Sequence, residues 1–171
     1  MNSNIELKAK ARKFSEQIKI ANELSESPQD TLLQEDTFFF SKNGRLKLRK
    51  FSESRGELII YQRPDKTGAK QSSYEICPTR TPEVLKNTLS LALGVIGVVR
   101  KTRYLFFHGQ TRIHLDVVND LGQFIEFEYV LQPDEAPENG QIAVDYLKKR
   151  FGIRRDDLIS HSYIDLLLSE Q

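Results

Sequence analysis

Three pairs of cations stand two residues apart in this chain: Lys8 and Lys10, Lys47 and Arg49, Lys101 and Arg103. Glu126 and Glu128 share that spacing, and Arg112, His114 and Asp116 extend it to three. In an extended strand, residues two apart point to the same side. Each pair therefore presents two like charges to one ligand. Lys and Arg satisfy phosphate oxygens. Carboxylates offer hard oxygens to Mg²⁺ or Mn²⁺, ions that bridge phosphates. The chemistry indicated is that of a polyphosphate together with a divalent cation.

The segments around these residues have the two-residue period of strands. Residues 4–10 alternate polar and apolar side chains, with Ile5, Leu7 and Ala9 opposite Glu6, Lys8 and Lys10. Further strands are expected at 36–40, 45–49, 57–63, 70–74, 98–107, 112–116 and 124–130. The turn signal Lys42-Asn43-Gly44 and Leu121-Gly122 punctuate them. Helices are expected over about 11–26, 81–93, 141–151 and 156–168, with a polar loop at 132–141. Thr81-Pro82-Glu83 carries a helix-start signature, and Gly94 follows the last apolar residues of that helix. The order predicts an α+β chain with a large antiparallel sheet or barrel.

Ten cations share the polar parity of these strands: Lys8, Lys10, Arg45, Lys47, Arg49, Arg63, Lys70, Lys101, Arg103 and Arg112. Glu6, Asp116, Glu126 and Glu128 share it as well. The opposite parity carries Leu46, Leu48, Leu58, Ile60, Ile113, Leu115, Ile125 and Phe127. One reading is a sheet with a solvated charged face and an apolar core face. The other is a closed sheet with the charges inside. Cations crowded on one curved surface repel by about a kcal/mol per close pair at intermediate dielectric. A highly charged anion would offset that repulsion.

The 171 residues carry 25 Lys+Arg and 24 Asp+Glu, a net charge of +1, so bulk charge does not mark a nucleic-acid coat. At 39% hydrophobic and 29% charged residues the chain is expected to fold, as one domain. No membrane-spanning stretch and no secretory signal are read, so a cytoplasmic protein without membrane or nucleic-acid partners is expected. A single cysteine, Cys77, excludes an internal disulfide and a Cys-based zinc site. His114 is read as a phosphate contact or as a structural hydrogen-bonding group. His108 and His161 have no metal-ligand company, and Lys148-Lys149-Arg150 is read as a solvated helix face or a cap on a tunnel mouth.

Ile5-Glu6-Leu7-Lys8-Ala9-Lys10 resembles the N-terminal ExExK signature of the CYTH superfamily, the triphosphate tunnel metalloenzymes. The resemblance continues through Asp36-Thr37-Phe38-Phe39, Gly44 to Arg49, Arg63-Pro64, Lys70-x-Ser72-x-Tyr74, Lys101-x-Arg103, Arg112 to Asp116, Leu121-Gly122-x-Phe124-x-Glu126-x-Glu128 and Ser162 to Leu167. In order and spacing the chain is similar to the class IV adenylyl cyclase-like branch. The resemblance implies a single CYTH domain over 1–171, built as an eight-stranded antiparallel barrel with flanking helices. It implies that Lys8, Lys10, Lys47, Arg49, Arg63, Lys101 and Arg103 bind the triphosphate, and that Glu6, Asp116, Glu126 and Glu128 hold Mg²⁺ or Mn²⁺. Glu6, Glu126 and Glu128 would then be catalytic. The implied partner is ATP, thiamine triphosphate or tripolyphosphate, and the implied activity is cyclisation of ATP to cyclic AMP and pyrophosphate, or triphosphate hydrolysis. Asn4 stands where the signature has its first acid, which leaves the metal site one negative charge short. A binder of nucleotide or polyphosphate without catalysis is the alternative.

Overall fold

Strict alternation becomes strands buried on both faces. In the computed structural model, which describes residues 1–170, β1 (Asn2–Lys10) buries six consecutive side chains from Asn4 to Ala9. Ile5, Leu7 and Ala9 enter an apolar core, while Glu6 and Lys8 are only 6% exposed on the opposite face. A solvated charged face is therefore excluded.

The closure of the sheet is the cause. After β1 come α1 (Phe14–Leu24), β2 (Asp30–Phe39), β3 (Arg45–Ser52), β4 (Arg55–Gln62), β5 (Lys70–Thr79) and α2 (Pro82–Leu93). Then follow β6 (Val95–His108), β7 (Thr111–Val118), β8 (Gly122–Val130) and α3 (Pro137–Arg150). A 3₁₀ turn (Arg155–Asp157), β9 (Leu158–Ile159) and α4 (Tyr163–Ser169) end the described chain. The order around the sheet is β5-β4-β3-β2-β6-β7-β8-β1, and β1 pairs back onto β5 from Asn2↔Tyr74 to Glu6↔Lys70. The result is a closed antiparallel eight-stranded barrel, with β9 as a short addition beside Lys8 and Ala9 of β1.

The apolar parity faces outward and is covered by helices. Leu7, Ile113, Leu115, Ile125 and Phe127 are essentially fully buried under α1 and α3, together with Ala21, Val144, Leu147 and Phe151. Full burial of such side chains stabilises by about 1.5–3 kcal/mol each. Gly140 lets α3 lie close on β1, since a Cβ there would meet Ile5 Cγ1 at 2.5 Å. A second cluster, Phe38, Val99, Val118, Phe124, Ile159, Tyr163 and Ile164, seats α4 across one end of the barrel. Gly97 permits that seating, because a Cβ there would meet Ile164 Cδ1 at 2.6 Å.

The element expectations need three corrections. β2 begins at Asp30 rather than near Asp36, because Leu32 and Gln34 pair with Arg103 and Lys101 of β6. The expected 132–141 loop becomes helical from Pro137. The helix expected over 156–168 is three elements: after the 3₁₀ turn and β9, the helix restarts at Ser162, whose hydroxyl caps Asp165 N–H while the Asp165 carboxylate accepts from Ser162 N–H. No helix among the described residues is long and apolar enough to cross a membrane.

Candidate functional site

The polar parity lines a cavity of about 310 Å³ inside the barrel. Lys8, Lys47, Arg49, Arg63, Lys101, Arg103 and Arg112 all reach it, together with Glu6, Glu126 and Glu128. With Arg55, Asp36 and Glu57, the lining holds eight cationic side chains against five carboxylates. The cavity opens beside exposed Arg55 and Ile76, among Leu32, Phe51, Tyr74 and Leu105. At the other end stand Ser162 and Tyr163 of the α4 segment.

On the wall formed by β2, β3 and β6, the register places Asp36 opposite Arg49 and Val99. Arg49 grips Asp36 with a two-bond fork, Nε to Oδ1 at 2.8 Å and Nη2 to Oδ2 at 2.7 Å. Lys47 Nζ donates to Oδ2 at 3.0 Å and Lys101 Nζ at 3.1 Å. Buried Lys101 and half-buried Lys47 and Arg49 thus share one buried carboxylate. Burial works against the Asp36 charge, but Arg49, Lys101 and Lys47 more than offset it and hold the group well below the usual carboxylate range. Burial also lowers Lys101 to about 7, with Asp36 opposing and Arg49 reinforcing the shift. Lys47 falls to about 8, through burial and then Arg49.

The wall formed by β1, β7 and β8 has a different balance. Arg103 forks Asp116 at 2.8 and 2.7 Å and reaches Glu126 at 3.3 Å. Lys8 lies 3.4 Å from Glu126, Arg112 lies 3.6 Å from Glu128, and Arg63 donates to Glu6. His114 Nδ1 is 3.3 Å from Glu126 and its Nε2 3.9 Å from Glu128. Burial raises Glu6, with Glu126 reinforcing and Arg63 opposing. Burial also works against the Glu126 charge, but Lys8, the His114 hydrogen bond and Arg103 keep it well below its ordinary value. Burial, aided by Arg103, lowers His114.

Unused hydrogen-bonding capacity remains in the lumen. Arg63 Nε and Arg112 Nε have no acceptor, and Asn4 Oδ1 and Gln34 Oε1 have no donor. Buried polar groups are ordinarily paired. These donors suit an anion, and the acceptors suit a cation or a ligand hydrogen.

Four expected site residues lie outside the cavity lining. Lys10, at the last position of β1, is exposed. Arg45 has the right parity but stands at the rim, where it bridges Asp65 of the β4–β5 loop at 3.0 Å and Asp165 of α4 at 2.9 Å. Lys70 donates to the Lys66 and Ser160 carbonyls at 3.1 and 2.8 Å, tying the same loop to the segment before α4. Asp116 is fully buried and already committed to Arg103 and to the Tyr163 hydroxyl at 2.8 Å. Its carboxyl stays near 2, because Arg103 outweighs the opposing effect of burial.

Two residues gain a place that alternation alone did not assign. Asp36 is the hub of one wall, although its sequence setting is a β-prone Asp-Thr-Phe-Phe run. Tyr163 stacks under Lys8, whose Nζ is 4.1 Å from the ring centroid, and packs on Phe124 at 5.0 Å. The Ser-x-x-Asp cap signature at Ser162 was the signal available for that turn.

The profile of the CYTH domain matches residues 2–163. The chain belongs to the CYTH family. No curated protein matches it. Among solved structures, the PH1012 protein of Pyrococcus horikoshii OT3 is 22% identical, with 95% of this chain and 98% of that one aligned and a TM-score of 0.81. A candidate adenylate cyclase from Vibrio parahaemolyticus is 18% identical over 96% and 97% of the two chains, with a TM-score of 0.79. A candidate adenylyl cyclase from Hippeastrum, described with a dominant triphosphatase activity, is 16% identical over 100% and 97%, with a TM-score of 0.68. These likenesses establish the CYTH triphosphate tunnel fold.

Proposed function

We propose that this CYTH protein is a metal-dependent enzyme that acts on a triphosphate held in the barrel lumen. The observation that carries the reading is the Asp36 hub, where Lys47, Arg49 and Lys101 share a single buried carboxylate. Three cations on one anion leave an excess of positive charge at low local dielectric, which an oligophosphate offsets. Arg63, Arg103, Arg112 and Lys8 extend the cationic surface across the lumen. The two-residue spacing on β3 and β6 fixes the cations as rigid pairs, so the phosphate chain is oriented without reorganisation during reaction.

The donor set fits a divalent cation: His114, Glu126 and Glu128 each bring a ligand atom within 4.8 Å of the others, with Glu6 on the neighbouring strand. We assign Mg²⁺ or Mn²⁺ to Glu126, Glu128 and Glu6. When bound, such an ion neutralises phosphate charge and activates an attacking oxygen. The chain's own part is to align phosphorus and nucleophile and to exclude bulk water at the α4 end. With ATP and cyclisation, the ribose 3′-hydroxyl attacks the α-phosphorus, its proton leaves and pyrophosphate departs. With hydrolysis, water would attack the terminal phosphorus, the bond from that phosphorus to its bridging oxygen would break with the diphosphate as leaving group, and orthophosphate would form with release of a proton to solvent. We further read the protein as cytoplasmic; its one cysteine, Cys77, is exposed and unbonded.

The test is incubation with ATP, thiamine triphosphate or tripolyphosphate, each with Mg²⁺ or Mn²⁺, while cyclic AMP, pyrophosphate and orthophosphate are resolved. Metal-dependent product from at least one substrate is expected. Asn4, neutral where the family signature has an acid, favours a second reading as a binder. Tripolyphosphate binding with no product from any substrate would establish that reading and overturn the enzyme.

A further inference from the structure

The carboxylates of the lumen are not equivalent, and the difference points to a nitrogen ligand. Asp116 is held by the Arg103 fork and by Tyr163, and Glu6 is held by Arg63. Glu126 is shared by Lys8, Arg103 and His114, and Glu128 lies beside Arg112 and the same imidazole, which is 3% exposed and forms part of the cavity wall. Adjacent ligands of an octahedral ion with bonds of about 2.1 Å stand about 3 Å apart. His114 Nε2 stands 3.9 Å from Glu128, and His114, Glu126 and Glu128 each bring one ligand atom within 4.8 Å of the others. A second observation concerns the same cavity. Asn4 Oδ1 is unpartnered on a side chain only 3% exposed, and Asn4 faces the same cavity from the strand beside Glu128.

We propose that His114 is a direct metal ligand alongside Glu126 and Glu128, making this a mixed nitrogen–oxygen site that selects Mn²⁺ over Mg²⁺. The inference rests on the triphosphate reading only for the ion's purpose. Mg²⁺ keeps to hard oxygen donors and its own waters, whereas imidazole is a good ligand for first-row transition ions. Asn4 in place of an acid sharpens the selection. An amide oxygen without charge gives a strongly hydrated Mg²⁺ less reason to shed water, while the imidazole retains the softer ion. Asp116 takes no part, since it is already committed to the Arg103 fork and to the Tyr163 hydroxyl.

Electron spin-echo spectroscopy of Mn²⁺ added to the wild-type protein, with and without tripolyphosphate, reads the ligand directly. ¹⁴N modulation is expected in the wild type and absent in His114→Gln. Calorimetry should show Mn²⁺ affinity falling about tenfold in His114→Gln, the scale of losing a well-placed metal-site group, with Mg²⁺ affinity changed far less. The metal-free thermal shift with tripolyphosphate should survive, which shows that the variant folds and that the Asp36 wall is intact. Wild-type Mn²⁺ without ¹⁴N modulation, wild-type protein that binds no Mn²⁺ in either condition, or a His114→Gln variant with an unchanged Mn²⁺-to-Mg²⁺ ratio overturns the proposal. Absence of any tripolyphosphate shift in metal-free wild-type protein would instead overturn the triphosphate reading and leave the His114 assignment standing.

Discussion

The wall of β2, β3 and β6 and the wall of β1, β7 and β8 use the same side-chain types and the same two-residue spacing. They differ in how many counter-ions each carboxylate receives. Asp36 answers to three cations. Glu6, Asp116, Glu126 and Glu128 share Lys8, Arg63, Arg103 and Arg112. The first ratio leaves positive charge to be satisfied, and the second leaves near neutrality with glutamate oxygens gathered around an imidazole. Under the proposed function, register alone divides one barrel lumen into an anion-seeking half and a cation-seeking half.

The hardest test of this division removes the hub. Asp36→Asn leaves three cations, one buried and two half-buried, facing an amide. Losing one member of a buried charge network costs about 3–5 kcal/mol, a fall of roughly 10 °C in Tm for a chain of this size. Tripolyphosphate should then raise Tm more in the variant than in the wild type, because the ligand supplies the missing charge. A melting temperature equal to that of the wild type would dissolve the contrast between the walls.

The next test pits the walls against each other. Arg49→Ala should weaken metal-free tripolyphosphate binding by about 10- to 100-fold, since charge-assisted hydrogen bonds are worth about 1.5–3 kcal/mol, while Mn²⁺ binding persists. Glu128→Gln should do the reverse: turnover is lost and metal affinity falls, and tripolyphosphate still binds without metal. Calorimetry on both variants, with product analysis, checks this. If Glu128→Gln keeps full metal-dependent turnover, or Arg49→Ala keeps full tripolyphosphate affinity, the division of roles fails.

Alternation made the inward set legible: Lys8, Lys47, Arg49, Arg63, Lys101, Arg103, Arg112, Glu6, Glu126 and Glu128 all reach one cavity. Parity tells which face a side chain takes, but not how far along the barrel it lies. Lys10, Arg45 and Lys70 share the parity but stand at strand ends outside the cavity lining, where Arg45 and Lys70 tie down the loop and the α4 segment. Nor does parity reveal pairing. Asp36 meets Arg49 only because β2 and β3 align in that register, and Asp116 is consumed by Arg103 because β6 and β7 place them opposite each other. Such partnerships belong to the closed sheet and have no local signature.

A gentler probe is pH. Lys101 and Lys47 have folded-state values near 7 and 8, below their ordinary 10.5. Between these values and 10.5 the unfolded chain binds more protons than the folded one, so these two groups make stability rise with pH in that window and cost stability below it. Binding of tripolyphosphate has the opposite sense. The anion favours charged lysines, so metal-free affinity should fall from pH 7 to pH 9, with protons taken up on binding at pH 8. Calorimetry in buffers of differing ionisation enthalpy measures the uptake. Lys101→Met should reduce it, and an unchanged uptake would remove Lys101 from the anion-seeking half. The smallest effect is expected from Asn4→Glu, which should tighten Mg²⁺ and Mn²⁺ several-fold in direct titration, as one added carboxylate near a divalent ion would. Unchanged affinity for both ions would place position 4 outside the cation-seeking half.

The seating of α4 on Gly97, Phe124 and Val99 has a kinetic consequence. Under the proposed function, with Ser162 and Tyr163 lining that end of the cavity, a triphosphate is loaded from the Arg55 and Ile76 side and its leading phosphate travels deepest. Products then leave in the reverse order of entry: the fragment near the mouth departs first, and the phosphate-bearing tail vacates the lumen last. Under steady state, the last product off competes with incoming substrate, whereas the first does not. Pyrophosphate from a cyclising turnover, or orthophosphate from a hydrolytic one, should therefore inhibit competitively, and the mouth-side product should inhibit noncompetitively.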